Sequence, residues 1–74
     1  MNVTQCRMAR AALGWSLDDL AGASGVGRAT VARFESGVTV QPETSERLRQ
    51  AFVANGIAFT NGGKRAGVSY LRAD

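Results

Sequence analysis

The sequence predicts a mainly α-helical fold, in which four helices are followed by a C-terminal β-hairpin. Through residues 1–56, apolar side chains recur at helical spacing, and glycines stand where the helical pattern breaks off. After residue 56, two short segments alternate between apolar and polar residues, and Asn61-Gly62-Gly63 between them is a strong turn signal. We therefore divide the chain into a helical domain, residues 1–56, and a hairpin, residues 57–74.

The first two helices are short, and side-chain caps mark where they begin. The first is predicted from about Gln5 to Leu13, with Thr4 as its cap and a glycine after its last residue. The second begins after Ser16, and Asp19 three residues later completes an S-x-x-D variant of the capping box. It ends at Gly25. Both starts thus carry side chains that can pair the first free N–H groups of a helix.

The third and fourth helices are predicted from Arg28 to about Gly37 and from Pro42 to about Ala54. The tight turn Gly25-Val26-Gly27 separates the third helix from the second. Proline suits the first position of the fourth helix, because its missing N–H would lack a helical partner there in any case. The residues of these two helices that we expect in the core are Val31, Phe34, Leu48, Ala51 and Phe52.

The predicted hairpin has one apolar face and free edges. Its strands are expected at residues 57–60 and 68–71, and the residues of the apolar face are Ile57, Phe59, Val68 and Tyr70. One interpretation is that this hairpin folds back on the helices, since an isolated hairpin is only marginally stable in water. We favour the other, in which the four residues form a dimer interface, because small domains often gain stability by association.

Composition favours a binding protein over an enzyme. The net charge is +3, and all nine basic residues except Lys64 are arginine, which hints at a polyanionic partner. With no histidine, one cysteine and no zinc-binding pattern, we expect no catalytic residue, metal or cofactor. Cys6 is expected to be a small buried hydrophobe. No apolar run is long enough to span a bilayer, and the first residues lack the layout of a secretory signal, so we expect a soluble, cytoplasmic protein. Since we expect no second domain that could sense a ligand, we expect no small-molecule ligand.

Residues 16–37 place two short helices around a glycine-containing turn, and the second of them exposes small and basic side chains. The major groove of DNA is about 12 Å wide and admits a helix only if its exposed side is slim. The residues that keep this side slim are Ala29, Thr30 and Ala32. Arg28, at the helix start, is placed to reach base edges, and Arg33 is placed to reach a base or a phosphate.

The segment from Arg10 to Gly37 resembles the helix-turn-helix of the Cro and lambda-repressor type, also called the XRE family. The matching residues are Arg10, Leu13, Gly14, Trp15, Ser16, Leu20, Ala21, Gly25, Val26, Val31, Arg33, Phe34, Glu35, Ser36 and Gly37. The resemblance covers the first three helices well and the fourth moderately, or about two-thirds of the chain. The pattern is specific as a set, although a glycine between two helices is a weak signal alone.

The resemblance implies which residues meet DNA. Arg28, Ala29, Thr30 and Arg33 fall where the family contacts bases. The two arginines would read sequence, most simply by a fork to guanine worth about 1–3 kcal/mol of discrimination each. Gly27 falls where the family approaches a phosphate, although the family favours a capping serine or threonine there.

The resemblance also implies an ion pair between Arg10 and Glu35, which would tie the first helix to the end of the third. A partly buried carboxylate beside the recognition helix needs such a partner on physical grounds as well. Glu35 is thus expected to be structural, and Arg10 to be structural with a phosphate contact in addition. Trp15 lies between two helices and is expected to be a core residue rather than a platform for a base.

Two departures from the family pattern concern phosphate contacts, which supply much of the affinity for DNA. Leu17 stands where the family usually places a phosphate-binding glutamine, so only backbone N–H groups remain for that contact. The loop at residues 38–41 is uncharged, where relatives often carry lysine or arginine. The residues that could replace these contacts are Lys64 and Arg65 in the hairpin and Arg47 and Arg49, which can also pair with Glu43 and Glu46.

The resemblance therefore implies a transcriptional regulator that binds double-stranded DNA with its third helix in the major groove. We expect a repressor that binds an inverted-repeat operator as a homodimer, with recognition helices about 34 Å apart. The alternative is a protein-interaction module, an anti-activator or adaptor that uses the same fold to bind another protein. Leu17 and the uncharged loop favour this alternative, and a steep dependence of binding on salt would favour DNA.

Overall fold

The computed structural model describes residues 1–62 and 65–71. In chain order it contains helices α1 (Val3–Leu13), α2 (Leu17–Ser24), α3 (Arg28–Glu35) and α4 (Pro42–Ala54), then strands β1 (Ile57–Gly62) and β2 (Arg65–Tyr70). The two strands form an antiparallel sheet. The predicted fold class, four helices followed by a β-hairpin, is confirmed. Within the described residues, no helix combines the length and the apolar character that crossing a bilayer requires.

Helix α1 begins two residues earlier than predicted, and its cap is Asn2 rather than Thr4. The Asn2 side chain accepts a hydrogen bond from the Gln5 N–H at 2.8 Å, and the Gln5 side chain accepts one from the Asn2 N–H at 2.9 Å. Thr4 could not form this reciprocal pair, because the residue three positions later is Arg7, which has no acceptor. The prediction was wrong because it considered the cap residue without its partner.

The predicted start of α2 is correct. The Ser16 hydroxyl accepts from the Asp19 N–H at 3.1 Å, and the Asp19 carboxylate accepts from the Ser16 N–H at 2.9 Å. Helix α4 runs from Pro42 to Ala54, as expected, and its C-cap is Asn55. The Asn55 side-chain amide donates to the Ala51 carbonyl of the previous turn at 2.7 Å.

The core lies where the four helices and one face of the hairpin meet. Its buried apolar residues are Cys6, Ala9, Leu20, Val26, Val31, Phe34, Leu48, Ala51, Phe52 and Ile57. All five residues of α3 and α4 that the sequence placed inside are among them. Trp15 packs on the core, with its ring stacked on that of Phe52 at 5.8 Å between centroids. Trp15 therefore serves packing, as the sequence predicted.

The apolar face of the hairpin is turned toward the helices. Ile57 pairs with Tyr70 and Phe59 with Val68, so these four residues share one face, as predicted. Ile57 is only 3% exposed, and Phe59 and Val68 pack against the core. The hairpin thus folds back on α1 and α4, and Ile57 is closed to a second chain. The expectation that this face is free for dimerisation needs correction, because a small domain buries its apolar surface within itself when the hairpin can reach it.

The side chain of Gln5 joins the start of α1 to the hairpin, a contact that the sequence did not reveal. Gln5 is 1% exposed. Its Nε2 lies 3.2 Å from the carbonyl oxygens of Thr60 and Gly67 and from Oδ1 of Asn61. Its Oε1 is occupied by the capping box of α1. One buried amide therefore has all its donors and its acceptor paired, which removes the cost of burying it.

Gly56, between α4 and β1, is the position where the fold most needs a glycine. Its φ is +95°, and a Cβ placed there would lie 2.8 Å from the carbonyl oxygen of Leu71 and 3.3 Å from the Tyr70 ring. Its own carbonyl accepts from the Leu71 N–H at 2.9 Å. The end of the hairpin thus closes directly over this residue, and no side chain fits between them.

We expect Gly56→Ala to destabilise the protein more than Gly14→Ala does. Gly14 also has a positive φ, +67°, but nothing lies within 4 Å of a Cβ placed there. In the control, Gly14→Ala, the free energy of unfolding should fall by about 1–2 kcal/mol through backbone strain alone. In Gly56→Ala, the free energy of unfolding should fall by about 1–3 kcal/mol more than in the control, because the end of the hairpin must move. Urea unfolding of both variants measures the difference, and equal losses would show that the close approach carries no cost.

Candidate nucleic-acid interface

Helices α2 and α3 are joined by a three-residue turn, which is held in place by a buried side chain and by hydrogen bonds to α2. The Val26 side chain is buried in the core, and the Val26 N–H donates to the Ser24 hydroxyl at 3.2 Å. Gly25 closes α2 by donating its N–H to the Ala21 carbonyl at 3.0 Å. Because the first two residues of the turn are held, α3 has a defined orientation relative to α2.

Helix α3 divides into an inner and an outer side. Val31 and Phe34 are buried in the core. The predicted base-contacting residues lie differently: Arg28, Ala29 and Arg33 are exposed, and Thr30 is half-buried. The outer side of α3 is thus narrow in its middle and carries a guanidinium near each end. This is the shape and charge that the major groove accommodates.

Arg28 already has a partner in the free protein. Its Nε lies 2.9 Å from Oδ1 of Asp18, a residue in the first turn of α2. Both side chains are largely exposed, at 62% and 76%. Asp18 suits the positive end of the α2 dipole, but the sequence gave no sign of its pair with Arg28. An ion pair this exposed contributes little to stability and exchanges easily.

Arg33 differs from Arg28 in its surroundings. Among the residues that the structure describes, Arg33 has no carboxylate within 4.0 Å. Its guanidinium is therefore available to an anion without displacing anything. The two arginines of α3 thus stand in different electrostatic environments.

The structure explains why position 17, at the start of α2, is a leucine. Leu17 is half-buried and packs against the core. It therefore adds to the small apolar core at a position where the family usually carries a polar residue. The carboxylates of Asp18 and Asp19 stand in the same first turn, so an approaching phosphate meets negative charge there.

Gly27, at the start of α3, provides no side-chain cap. It is exposed, and an added Cβ would meet nothing within 4 Å. The first N–H groups of α3 are thus open to an external acceptor, which is compatible with the predicted phosphate contact.

Glu35, at the end of α3, is the centre of a buried polar cluster. It is 7% exposed. Arg10 donates to it through two nitrogens, Nε to Oε2 at 2.7 Å and Nη2 to Oε1 at 2.9 Å, and so forms the ion pair that the resemblance implied. A third nitrogen of Arg10 donates to the Trp15 carbonyl at 3.0 Å. The hydrogen bond with Glu35 raises the pKa of Arg10, although burial opposes this. With three nitrogens engaged, Arg10 fixes α1 to α3.

Arg7 adds to this cluster, and the sequence did not point to it. Its guanidinium donates to the backbone carbonyl of Glu35 and lies 3.9 Å from the carboxylate. It therefore pairs an end carbonyl of α3 and places positive charge at the negative end of that helix. The signal available in the sequence was its position one turn before Arg10 on α1.

Cys6 is fully buried beside the same carboxylate. Its Sγ lies 3.5 Å from Oε2 of Glu35, to which it donates. Burial, and after it the nearby Glu35 carboxylate, raises the pKa of this thiol from an ordinary 9.0 to about 12. Cys6 is therefore a protonated core residue, in agreement with the sequence-based expectation.

The raised pKa of Cys6 predicts a loss of stability in alkali. The unfolded chain releases the thiol proton above pH 9, whereas the folded chain holds it to about pH 12, so the free energy of unfolding falls as pH rises through this window. At about pH 10.5, we expect the wild type to have lost about 1–2 kcal/mol more than Cys6→Ala, each relative to about pH 8. Urea unfolding of both proteins at both pH values gives this difference, and parallel curves would contradict it.

The other basic residues are divided between α4 and the hairpin. On α4, Arg47 pairs with Glu43 at 3.1 Å, and Arg49 pairs with Glu46, whose pKa it lowers to about 2. These pairs make a solvated face. Arg65 is exposed at the start of β2, in a hairpin that packs mainly against α1 and α4, and Lys64 lies outside the described residues.

Comparison with known proteins agrees with this geometry. A family model described as helix-turn-helix matches residues 7–52, which include α2, the turn, α3 and most of α1 and α4. No curated protein that was compared matches the chain. The family match and the four-helix fold together identify the class. The chain belongs to the helix-turn-helix family of the Cro and lambda-repressor type, a family of DNA-binding regulatory domains.

Proposed function

We propose that this protein is a sequence-specific transcriptional repressor that binds an inverted-repeat operator as a homodimer, with α3 in the major groove. One observation carries the proposal: the outer side of α3 is slim in the middle and has an exposed arginine near each end. Arginine forks match the acceptor edge of guanine, which is read in that groove. Arg28, Ala29, Thr30 and Arg33 are then the residues that meet bases.

The proposed phosphate contacts come from several elements. The uncapped start of α3 at Gly27 and the backbone of α2 at Leu17 offer N–H groups, and Arg10 and Arg65 offer charge. Arg10 is 24% exposed, and three of its nitrogens already donate hydrogen bonds within the protein, so we expect its contribution to phosphate binding to be the smallest. Lys64 belongs to the same proposal from sequence alone. Because the α2 start is acidic, we expect few phosphate contacts per chain and hence a need for two chains.

The dimer surface that we propose is the end of the hairpin. Tyr70 and Leu71 expose 40% and 82% of their surface, whereas Ile57, Phe59 and Val68 serve the chain's own core. Leu71→Asp is the matching test, because this side chain is nearly free of intramolecular contact. The variant should stay folded by circular dichroism and sediment as a monomer where the wild type sediments as a dimer. A wild type that is monomeric at tens of micromolar would overturn the homodimer.

The first experiment on function is selection of bound sequences from a random duplex pool at about physiological salt. Recovery of an inverted repeat supports the proposal and gives the operator. The affinity for that repeat should then fall steeply with salt, with a slope that counts the neutralised phosphates. A reporter gene placed behind the selected repeat tests repression, and activation of the reporter would reverse the sign of the proposed regulation. The proposed location is the cytoplasm.

The second candidate is a protein-interaction module, and one observation favours it. The first turn of α2 carries two carboxylates, and Asp18 already neutralises Arg28. This acidic surface is better suited to a protein partner with basic groups than the corresponding surface of a typical helix-turn-helix domain is. Folded protein that selects no DNA sequence would favour this candidate.

A further inference from the structure

We propose that Asp18 is a positioning residue for base recognition, which holds Arg28 side-on so that its two terminal nitrogens point to a guanine. The inference rests on the proposed function and adds to it the residue that sets the specificity of the Arg28 contact. Asp18 touches no base itself. It acts through Arg28, from the neighbouring helix.

The geometry of the pair supports this role. The closest approach between the two side chains is from Nε of Arg28 to Oδ1 of Asp18, at 2.9 Å. The contact is an ion pair without hydrogen-bond geometry: within the described residues, no nitrogen of Arg28, Nε included, donates a hydrogen bond. A carboxylate that approaches the guanidinium at Nε leaves its end-on fork free, and this fork is what the O6 and N7 acceptors of guanine require.

The positions of the two residues explain why the pair forms. Arg28 is the first residue of α3, where the helix dipole disfavours a cation, and Asp18 is in the first turn of α2, where a dipole favours an anion. The ion pair therefore joins the first turns of two consecutive helices, ten positions apart in the chain. Asp18 thus offsets the unfavourable placement of Arg28. Although the exposed pair contributes little to stability, it favours those Arg28 rotamers that bring Nε to the carboxylate, which lowers the entropic cost of a base contact.

The charge of Asp18 adds discrimination against the wrong contact. A free arginine at this position would bind the nearest phosphate, which carries no sequence information. With Asp18 in place, a phosphate contact by Arg28 brings a second negative charge toward the carboxylate, whereas a guanine edge brings none. Asp18 is therefore expected to strengthen the guanine contact and to weaken non-specific binding.

The test compares Asp18→Asn with Asp19→Asn. Both variants lose one negative charge from the same turn, but Asp19 pairs with the Ser16 N–H and forms no ion pair with Arg28. Affinities are measured for the selected duplex, for the same duplex with the Arg28-read guanine changed to adenine, and for an unrelated duplex. Arg28→Ala identifies which guanine is read, since this variant no longer distinguishes the two duplexes.

The expected result is a change in base preference for Asp18→Asn alone. Its preference for guanine over adenine should fall about three- to tenfold, and its affinity for the unrelated duplex should rise about two- to fivefold. Asp19→Asn should show only the rise on unrelated DNA. In the Arg28→Ala background, Asp18→Asn should leave the base preference unchanged, because the residue acts through Arg28.

Two results would count against the inference, and they are distinguishable. Unchanged base preference in Asp18→Asn, with a wild type that does select a sequence, would overturn the role of Asp18 and leave the proposed function standing. A folded wild type that selects no sequence would overturn both. The ion pair between Arg28 and Asp18 can be detected without DNA, from the Nε–H signal of the Arg28 side chain in NMR spectra. This signal should shift in Asp18→Asn and stay in place in Asp19→Asn.

Discussion

Replacement of Arg28 with alanine should abolish the preference for one base pair in each half-site while the fold stays intact. A bidentate arginine–guanine contact is worth about 1–3 kcal/mol of discrimination, so the loss corresponds to about 5- to 150-fold in relative affinity. The side chain is 62% exposed and its ion pair with Asp18 is solvated, so the free energy of unfolding should change by less than about 0.5 kcal/mol. Competition between the selected duplex and its single-base variants measures the effect.

Arg47→Ala is the matched control for this experiment. Arg47 is another exposed arginine with a carboxylate partner, Glu43, but it lies on α4. Its loss removes the same charge, so any effect on DNA binding should be similar for all sequences. If Arg28→Ala kept the wild-type base preference, the assignment of Arg28 as a sequence reader would be wrong, and Arg33 would become the first residue to test.

Replacement of Glu35 with alanine should destabilise the protein by about 3 kcal/mol or more. The change leaves Arg10, which is 24% exposed, without the carboxylate that two of its nitrogens contact. Removing one partner of a buried pair typically costs about 3–5 kcal/mol, and the partial exposure of Arg10 places the value toward the lower end. A chain of 74 residues has a total stability of about 4–11 kcal/mol, so a large part of it would be lost.

Glu43→Ala tests whether this effect comes from burial. Its partner Arg47 is 57% exposed, and an exposed pair of this kind contributes about 0–1 kcal/mol. Urea unfolding of both variants should therefore give a much larger loss for Glu35→Ala. Similar losses would mean that the cluster around Glu35 is no more than a surface ion pair. A double replacement, Arg10→Met with Glu35→Leu, should recover much of the lost stability, since no uncompensated charge remains.

Apart from the start of α1, the local part of this fold was predictable from sequence, and the long-range part was not. The Ser16–Asp19 capping box, the start of α4 at Pro42 and the glycine-containing turn depend on residues within four positions of one another. The direction in which the hairpin turns its apolar face depends on whether it can reach the helices. Alternation within a strand fixes which residues share a face, but it carries no information on what covers that face.

The candidate site shows the same division. The exposed positions of α3 follow from helical periodicity once Val31 and Phe34 are placed inside. The ion pair of Arg28 with Asp18 depends on how two helix starts approach each other, ten residues apart in the chain and across a turn. Gln5 was equally hidden, because nothing in the sequence around it distinguishes a buried amide from a solvated one.

The three contacts of the Gln5 amide also bear on the order in which we expect the molecule to assemble and open. They join residues 55 to 62 positions apart in the chain, whereas the contacts of α2 with α3 are local. Closing so long a loop costs entropy that local contacts do not, so we expect the hairpin to dock after α2 and α3 have formed. In the native state we expect the first turn of α1 and the hairpin to open to solvent as one unit. Their amide protons should then exchange together, and before those of α2 and α3.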